Sequence, residues 1–373
     1  MSSPRRVRIV SGRSGLDSLR DSWQALIAAS PEAPFYLLYD WYWAYLNHLE
    51  DEPARTVFMV LENASGCRGI LPLRRERKQY LGIGLDLWSA PACTGMDLVG
   101  VLLRPGEPLS DWWREMGAAL RAISWDWTVV KVPRIIESAA VAHAATLPRH
   151  TIFRPQGYSC YFQIKDSYEV ATKEYTTRLR KILRKGWSGL TKLGMVEIHA
   201  ARTAAELDSA FAEFLRLEAS GWKGEQGTAS ALAFDPPRRA FFEHIFNGPR
   251  SERQAEINLL TVDGKAVASQ LCMVQGGVRS VVKIAYDQSL QKLSPGSVLL
   301  DALLKRSYQM RDVQYLSLVT GIGWMREWGT ESETVGDLWL FRSHVAAIII
   351  RHFLRLKDRR DASPDPVTSV EAT

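Results

Sequence analysis

Hydrophobic and polar positions divide the chain into two stretches of different rhythm. In the first, apolar residues at helical spacing predict a helix near Leu16 to Ala29 and an aromatic helix over YDWYWAYLNHL. Two strands, TVFMVLE and GILPLRR, follow, then a helix near Ser110 to Ile123 and an apolar strand, WTVVKV. These roughly 150 residues have the size of one α/β domain.

The second stretch is more regular. A helix rich in Arg and Lys, Tyr175 to Leu193, precedes a strand, MVEIHA, a helix from about Ala204 to Gly221, and another around Arg238 to Phe246. A meander comes next: EINLLTV turns at Asp263-Gly264 into KAVASQLCMV, which turns at Gly276-Gly277 into VRSVVKIAYD. The loop QSLQKLSPG leads to a helix, SVLLDALLKRSYQM, and a strand, VQYLSLV. The remainder is a basic amphipathic segment, LWLFRSHVAAIIIRHFLRLKDRR, and a polar tail, DASPDPVTSVEAT, with too little apolar surface to fold. The expected fold is α/β (α+β), with domains at 1–155 and 156–342 and residues 343–373 as the basic segment and tail.

Placed on a helix, Leu207, Phe211, Phe214, Leu215, Glu218 and Trp222 fall within one stripe, and Glu218 is its only charge. A carboxylate that faces an apolar layer is paired or has a raised pKa, the second being suited to general-base work. The alternative is a glutamate at a fraying helix end that reaches water or Lys223. A two-residue turn at Gly276-Gly277 sets Gln270 opposite Lys283, on a face shared with Ala268, Cys272, Val281, Ala285 and Asp287. That face is either a cleft lined for a polar substrate or a solvated sheet surface. The other face, with Val267, Leu271, Met273, Val282, Ile284 and Tyr286, reads as core. In QKLSPGSVLL, Ser294 suits an N-cap, Pro295 the first helical position, and Gly296 a close ligand approach, with Lys292 adding charge. Such a helix N-terminus attracts phosphate.

Composition narrows the setting. Lys and Arg number 47 against 41 Asp and Glu, a net charge of +6 that suits anionic partners such as a nucleotide, tRNA or a lipid surface. Hydrophobic residues make up 46% of the chain, enough for packed cores. Cys67, Cys93, Cys160 and Cys272 lack the C-x-x-C spacing of a zinc site or disulfide framework, which points to a reducing cytoplasm. The histidines lack metal-ligand spacing and no G-x-S-x-G is present, so neither a metal nor a covalent serine intermediate is expected. No window reaches the ~18 apolar residues of a membrane span. The helix carrying Arg178, Arg180, Lys181, Arg184 and Lys185 is either a solvated face or a binding surface for tRNA phosphate or anionic lipid. Arg351, Arg355, Lys357, Arg359 and Arg360 give the C-terminal segment the charge of a peripheral membrane helix, or of a docked helix with a soluble end.

FLRLEASGWKGEQGTA resembles a tryptophan-lysine-glycine signature of the CelD-like branch of the GNAT acyltransferases, proteins of cellulose and exopolysaccharide biosynthesis. The order from EINLLTVDGKAVASQL through KIAYDQSLQKLSPGSVLL to YLSLVTGIGWMREW is similar too, as are FYLLYDWYWAYL and GILPLRRERKQYLG, so the resemblance spans about residues 30 to 335. It implies two tandem GNAT-like domains with the acyl-donor site in the second. An acyl-CoA pyrophosphate would sit at Lys292, Leu293, Ser294, Pro295, Gly296 and Ser297, where the family's glycine-rich loop is reduced. That reduction is shared with Fem-type transferases, which take an aminoacyl group from tRNA. The implied reaction is direct attack of an amine or hydroxyl, from a cell-envelope saccharide or lipid precursor, on the acyl group. Glu218 is then the candidate base, with Asp287 second; Lys283 and Gln270 orient the substrate, Trp222 and Lys223 bind it, and Tyr286 protonates the leaving group. A catalytically silent subunit of polysaccharide synthesis is the non-enzymatic alternative.

Overall fold

A computed structural model describes residues 6–80, 83–92, 97–122, 127–141, 151–248, 255–342, 345, 348, 350 and 352. Up to residue 157 its elements are β1 (Arg6–Ser11), α1 (Gly12–Asp17), α2 (Arg20–Ala29), α3 (Tyr39–Ala44), β2 (Thr56–Asn63), β3 (Gly66–Tyr80), β4 (Ile83–Ser89), β5 (Leu102–Leu103), α4 (Leu109–Ala122), β6 (Val129–Ile136), α5 (Glu137–Val141) and the start of β7 (Thr151–Gln163). They continue with α6 (Tyr168–Ala171), α7 (Thr177–Leu193), β8 (Val196–Ala201), α8 (Ala204–Ala219), α9 (Pro236–Asn247), β9 (Ala255–Val262), β10 (Lys265–Gln275), β11 (Val278–Tyr286), α10 (Pro295–Tyr308), β12 (Tyr315–Ser317) and β13 (Glu331–Phe341). The fold is mixed α/β, as expected. Its two units are not consecutive halves: residues 23–53 and 158–333 form one, and 1–22, 54–157 and 334–373 the other.

In the unit that begins the chain, β1-β2-β3-β4-β6-β13 is the strand order, antiparallel except for the β4–β6 pair. Val57, Met59 and Leu61 project from one face of β2 into a core with Trp112, Trp113, Met116 and Leu120 of α4. The run LWLF, expected to open the basic amphipathic segment, instead completes β13. Leu338 and Leu340 enter the α4 core, whereas Trp339 and Phe341 pack with Leu85, Leu87 and Val129. A strand buried on both faces is apolar at every position, so its period of two is invisible in the sequence.

The other unit has the strand order β7-β12-β11-β10-β9-β8. β11 and β12 are parallel and the remaining pairs antiparallel. Cys272 and Ala268 of β10 pack with Leu300, Leu303, Val298 and Leu299 of α10, while Leu190 of α7 joins the same side. α8 packs on β9, β10 and β11, and also against α9. Strand alternation therefore puts α7 and α10 on one face and α8 and α9 on the other. The segment 23–53 belongs here because its aromatics find partners here: Trp41 meets Phe241 edge to face at 5.1 Å, and Trp43 stacks on His244 at 4.3 Å.

Candidate active site

Thr203 and Glu206 close a capping box that starts α8, and the helix then carries Leu207, Phe211, Phe214 and Glu218 into the interior. α8 stops at Ala219, so Trp222 falls outside the buried stripe where helical spacing had placed it and stands 60% exposed. Gly224 and Gly227 let the next turns coil tightly, since a Cβ at either would overlap a backbone carbonyl. Lys223 lies over the Trp222 ring at 5.5 Å.

Glu218 is 5% exposed and fully partnered. Its Oε1 meets Lys223 Nζ at 3.1 Å and Lys283 Nζ at 3.3 Å, and its Oε2 accepts from the Leu232 N–H at 2.9 Å. Burial alone would raise this carboxyl's pKa, but Lys283, the Leu232 N–H and Lys223 together hold it below the ordinary value. Of the two alternatives open at the sequence level, the structure chooses pairing. The pKa of Lys283 is lowered as well, because burial and the like charges of Lys223 and Arg238 outweigh the attraction of Glu218.

Lys283 reaches Glu218 because β11 is bulged. Gly276 and Gly277, with φ of +58° and +75°, make the expected two-residue turn, and pairing runs in the expected register as far as Cys272 with Val281. Val282 is then an extra residue, and Leu271 pairs with Lys283. A bulge of this kind re-aims side chains. Gln270 therefore lies opposite Ile284, not Lys283, and the two do not share a face as expected. It is 0% exposed, and its amide atoms have no hydrogen-bond partner among the described residues, so it contributes no surface to the Lys283 side.

On its other edge β11 parts from β12 before the bulge. β12 pairs with β11 only through Val278–Ser280, leaving Val281–Tyr286 without a strand on that edge among the described residues. The bulge also turns Tyr286 over: it pairs with Ala268 and lies within van der Waals reach of a Cβ built at Gly296, on the α10 face, not on the face of Leu271 and Met273 where the unbulged register had placed it. Asp287 caps the turn that follows, accepting from the Ser289 N–H at 3.0 Å and hydroxyl at 2.6 Å. Those bonds give it a local structural task.

The loop before α10 departs from its expected form in two respects. Ser294 occupies the N-cap position with a left-handed backbone, φ +48°, and its side chain makes no capping bond. Leu293 packs into α7: its carbonyl lies against Gly186 and its side chain against Gly189, so it is a packing residue, not an open ligand contact. Pro295 is buried and supplies no N–H, while the Ser297 N–H is used by the Ser294 carbonyl at 3.0 Å. Gly296 is half-buried beside the open edge of β11, and Lys292 is exposed.

The basic residues of α7 are mostly solvated. Arg178 pairs with Glu327 at 3.4 Å and Arg180 donates to the Tyr175 carbonyl, whereas Lys181 and Lys185 are exposed. The membrane-surface reading of the C-terminal segment falls almost wholly outside the described residues. Among those described, no helix is long and apolar enough to cross a membrane, and no three His, Cys, Asp or Glu residues converge as metal ligands. A network absent from the sequence reading lies on the α10 face: Glu256, fully buried, takes Arg202 at 2.8 Å, Arg279 at 3.3 Å and Arg306. Buried Arg and Glu within strand patterns were its only sequence signal.

Comparison with known proteins gives this geometry a context. Residues 177–324 match a sequence family described as an acetyltransferase (GNAT) domain. They carry the GNAT fold. No curated protein matches the chain. Among solved structures, FemX is similar at 10% identity with a TM-score of 0.54, over 86% of this chain and 95% of that one. A conserved protein of Bacteroides thetaiotaomicron gives 14% and 0.54 over 87% and 97%. The C-terminal domain of a putative lysylphosphatidylglycerol synthetase from Agrobacterium fabrum gives 13% and 0.50 over 80% and 89%. At such identities the likeness is one of fold. Within the GNAT fold found here, Glu218, Lys223 and Lys283 converge at 3.1–3.3 Å, and Lys283 stands on β11 just beyond its last pairing with β12.

Proposed function

We propose that the chain is an acyltransferase that moves an acyl group from acyl-CoA to an amine, or a hydroxyl, of a cell-envelope saccharide or lipid precursor. The observation that carries the reading is a lysine of lowered pKa, Lys283, held by Glu218 beside the unpaired edge of β11. An extended donor would lie along that edge, with its carbonyl within reach of main-chain donors. The acceptor nitrogen attacks that carbonyl, its bond to carbon forms as the carbon–sulfur bond breaks, and the proton it sheds passes to Lys283 in its unprotonated form, which burial favours, and on to the departing sulfur. Glu218 is then a positioning residue, which sets Lys283 and, through Lys223 and Leu232, the loop that presents Trp222. Asp287 remains a second proton acceptor at the strand end, and Tyr286 walls the donor beside Gly296. The donor phosphates would meet Lys292 and the Gly296 N–H. The donor site would then lie within residues 158–333, and the resemblance to the CelD-like branch favours a polysaccharide or lipid acceptor.

The α10 terminus favours one competing reading. Pro295 and the occupied Ser297 N–H leave few donors for a pyrophosphate, which suits a Fem-like transferase fed by aminoacyl-tRNA. Thermal unfolding in the presence of coenzyme A, a long-chain acyl-CoA and aminoacyl-tRNA separates the two. A ligand at 100 times its Kd adds about 2.7 kcal/mol of stability. Stabilisation by an acyl-CoA is expected. Stabilisation by aminoacyl-tRNA alone would transfer the donor role to tRNA, and no response to any of the three would leave a non-catalytic subunit.

A further inference from the structure

On the α10 face of the second-described unit, away from Glu218, a cavity of about 590 Å³ opens between α7, α10, α6 and β8. Its volume lies in the range of pockets that enclose small molecules, about 300–1,000 Å³. Three of the four charged side chains lining it are cations: Arg184, Lys305 and Arg306, against Asp301. Asp301 is engaged, accepting from the hydroxyls of Tyr168 at 2.8 Å and Tyr175 at 3.0 Å. Arg306 in turn shares Glu256 with Arg202 and Arg279, so three guanidiniums lean on one buried carboxylate. The positive charge behind this wall is only partly neutralised, and Arg184 and Lys305 stand exposed at its mouth. A multiply charged anion would complete the set, since charge-assisted bonds to Arg and Lys are about twice as strong as neutral ones.

The same cavity has a flat apolar side. Trp187 projects from the middle of α7 at 45% exposure, a costly position for so large a ring on an otherwise basic face, and Leu183 and Tyr168 continue the surface. A planar group laid against Trp187 would bury it and bring an attached anion to Arg184 and Lys305. We propose that this cavity binds a phosphate joined to a flat ring, an organic anion of mononucleotide size, at a second site distinct from the transfer site. The proposal stands independently of the reaction assigned above.

Equilibrium dialysis of the full chain against adenosine 5′-monophosphate, adenosine and inorganic phosphate tests it. Saturable binding of the monophosphate is expected, tighter than that of either half alone. Arg184→Ala and Lys305→Ala, both at exposed positions, should each weaken it tenfold or more. Trp187→Ala should weaken the monophosphate and leave inorganic phosphate unchanged. Lys292→Ala, at the α10 terminus, should leave all three as they are. Absence of saturable binding up to about 1 mM would overturn the proposal. So would binding lost in Lys292→Ala and retained in Arg184→Ala and Lys305→Ala, which would assign the ligand to the donor site.

Discussion

Two lysines lean on one buried carboxylate, and the charges of Glu218 and Lys283 each shift the other's protonation. Glu218 has its pKa lowered in the folded protein, and the stability it contributes is present above its unfolded value and lost as pH falls through the folded one. Lys283, also lowered, binds fewer protons folded than unfolded, so its penalty is relieved as pH rises from its folded value towards the ordinary 10.5. If neutral Lys283 takes the proton, kcat/KM rises with pH through its folded pKa. Lys283→Met should remove that limb and cost ~100-fold or more in rate. Glu218→Gln removes the attraction that raises Lys283's pKa, so the limb should move to lower pH, with about 3–5 kcal/mol lost in unfolding experiments. An unmoved limb with the rate lost at every pH would make Glu218 itself the base. Helical spacing exposed Glu218 as a buried charge and Lys223 as a partner within reach, but not the other two. Leu232 is 14 residues further on and Lys283 lies on another element, and neither proximity leaves a local pattern.

Elements show the same division between what is local and what is not. The Gly276-Gly277 turn was legible because positive φ demands glycine there, and the meander followed from it. The bulge at Val282 was not, because no glycine or proline marks it, and it sets the face on which Lys283 stands. α7 offers a test of a signal that was present and unread. An interior helical glycine usually costs about 1 kcal/mol relative to alanine, and α7 keeps two of them one turn apart, Gly186 and Gly189. Both face Leu293, and a Cβ on Gly186 would overlap its carbonyl. Gly186→Ala, stabilising in an ordinary helix, is therefore expected to destabilise by about 1–3 kcal/mol through overpacking. Urea unfolding measures this directly. A more stable variant would mean that the loop carrying Ser294 and Gly296 yields easily, and that α7 does not hold it.

At the scale of the whole chain, a single cut near residue 155 describes the sequence better than it describes the packing. The aromatic run FYLLYDWYWAYL reads locally as a helix of the first stretch, yet its rings are core of the unit that contains α8 and α9. Trp41 is buried against Phe241, and Trp23 stands at 5.2 Å from Tyr42 within the same segment. Long-range partnership of this kind has no periodicity to reveal it, whereas the meander, built from neighbours in sequence, has. A fragment of residues 156–342 would lack those rings and leave Phe241 facing solvent. It would also carry β13 without β6, its partner from Val335 to Phe341. The fragment is expected to lose cooperative unfolding, and Trp41→Ala in the intact chain to lose about 3–5 kcal/mol. A fragment that melts cooperatively at the temperature of the intact protein would show that segment 23–53 is dispensable to the fold, and Trp41→Ala should then be nearly silent as well.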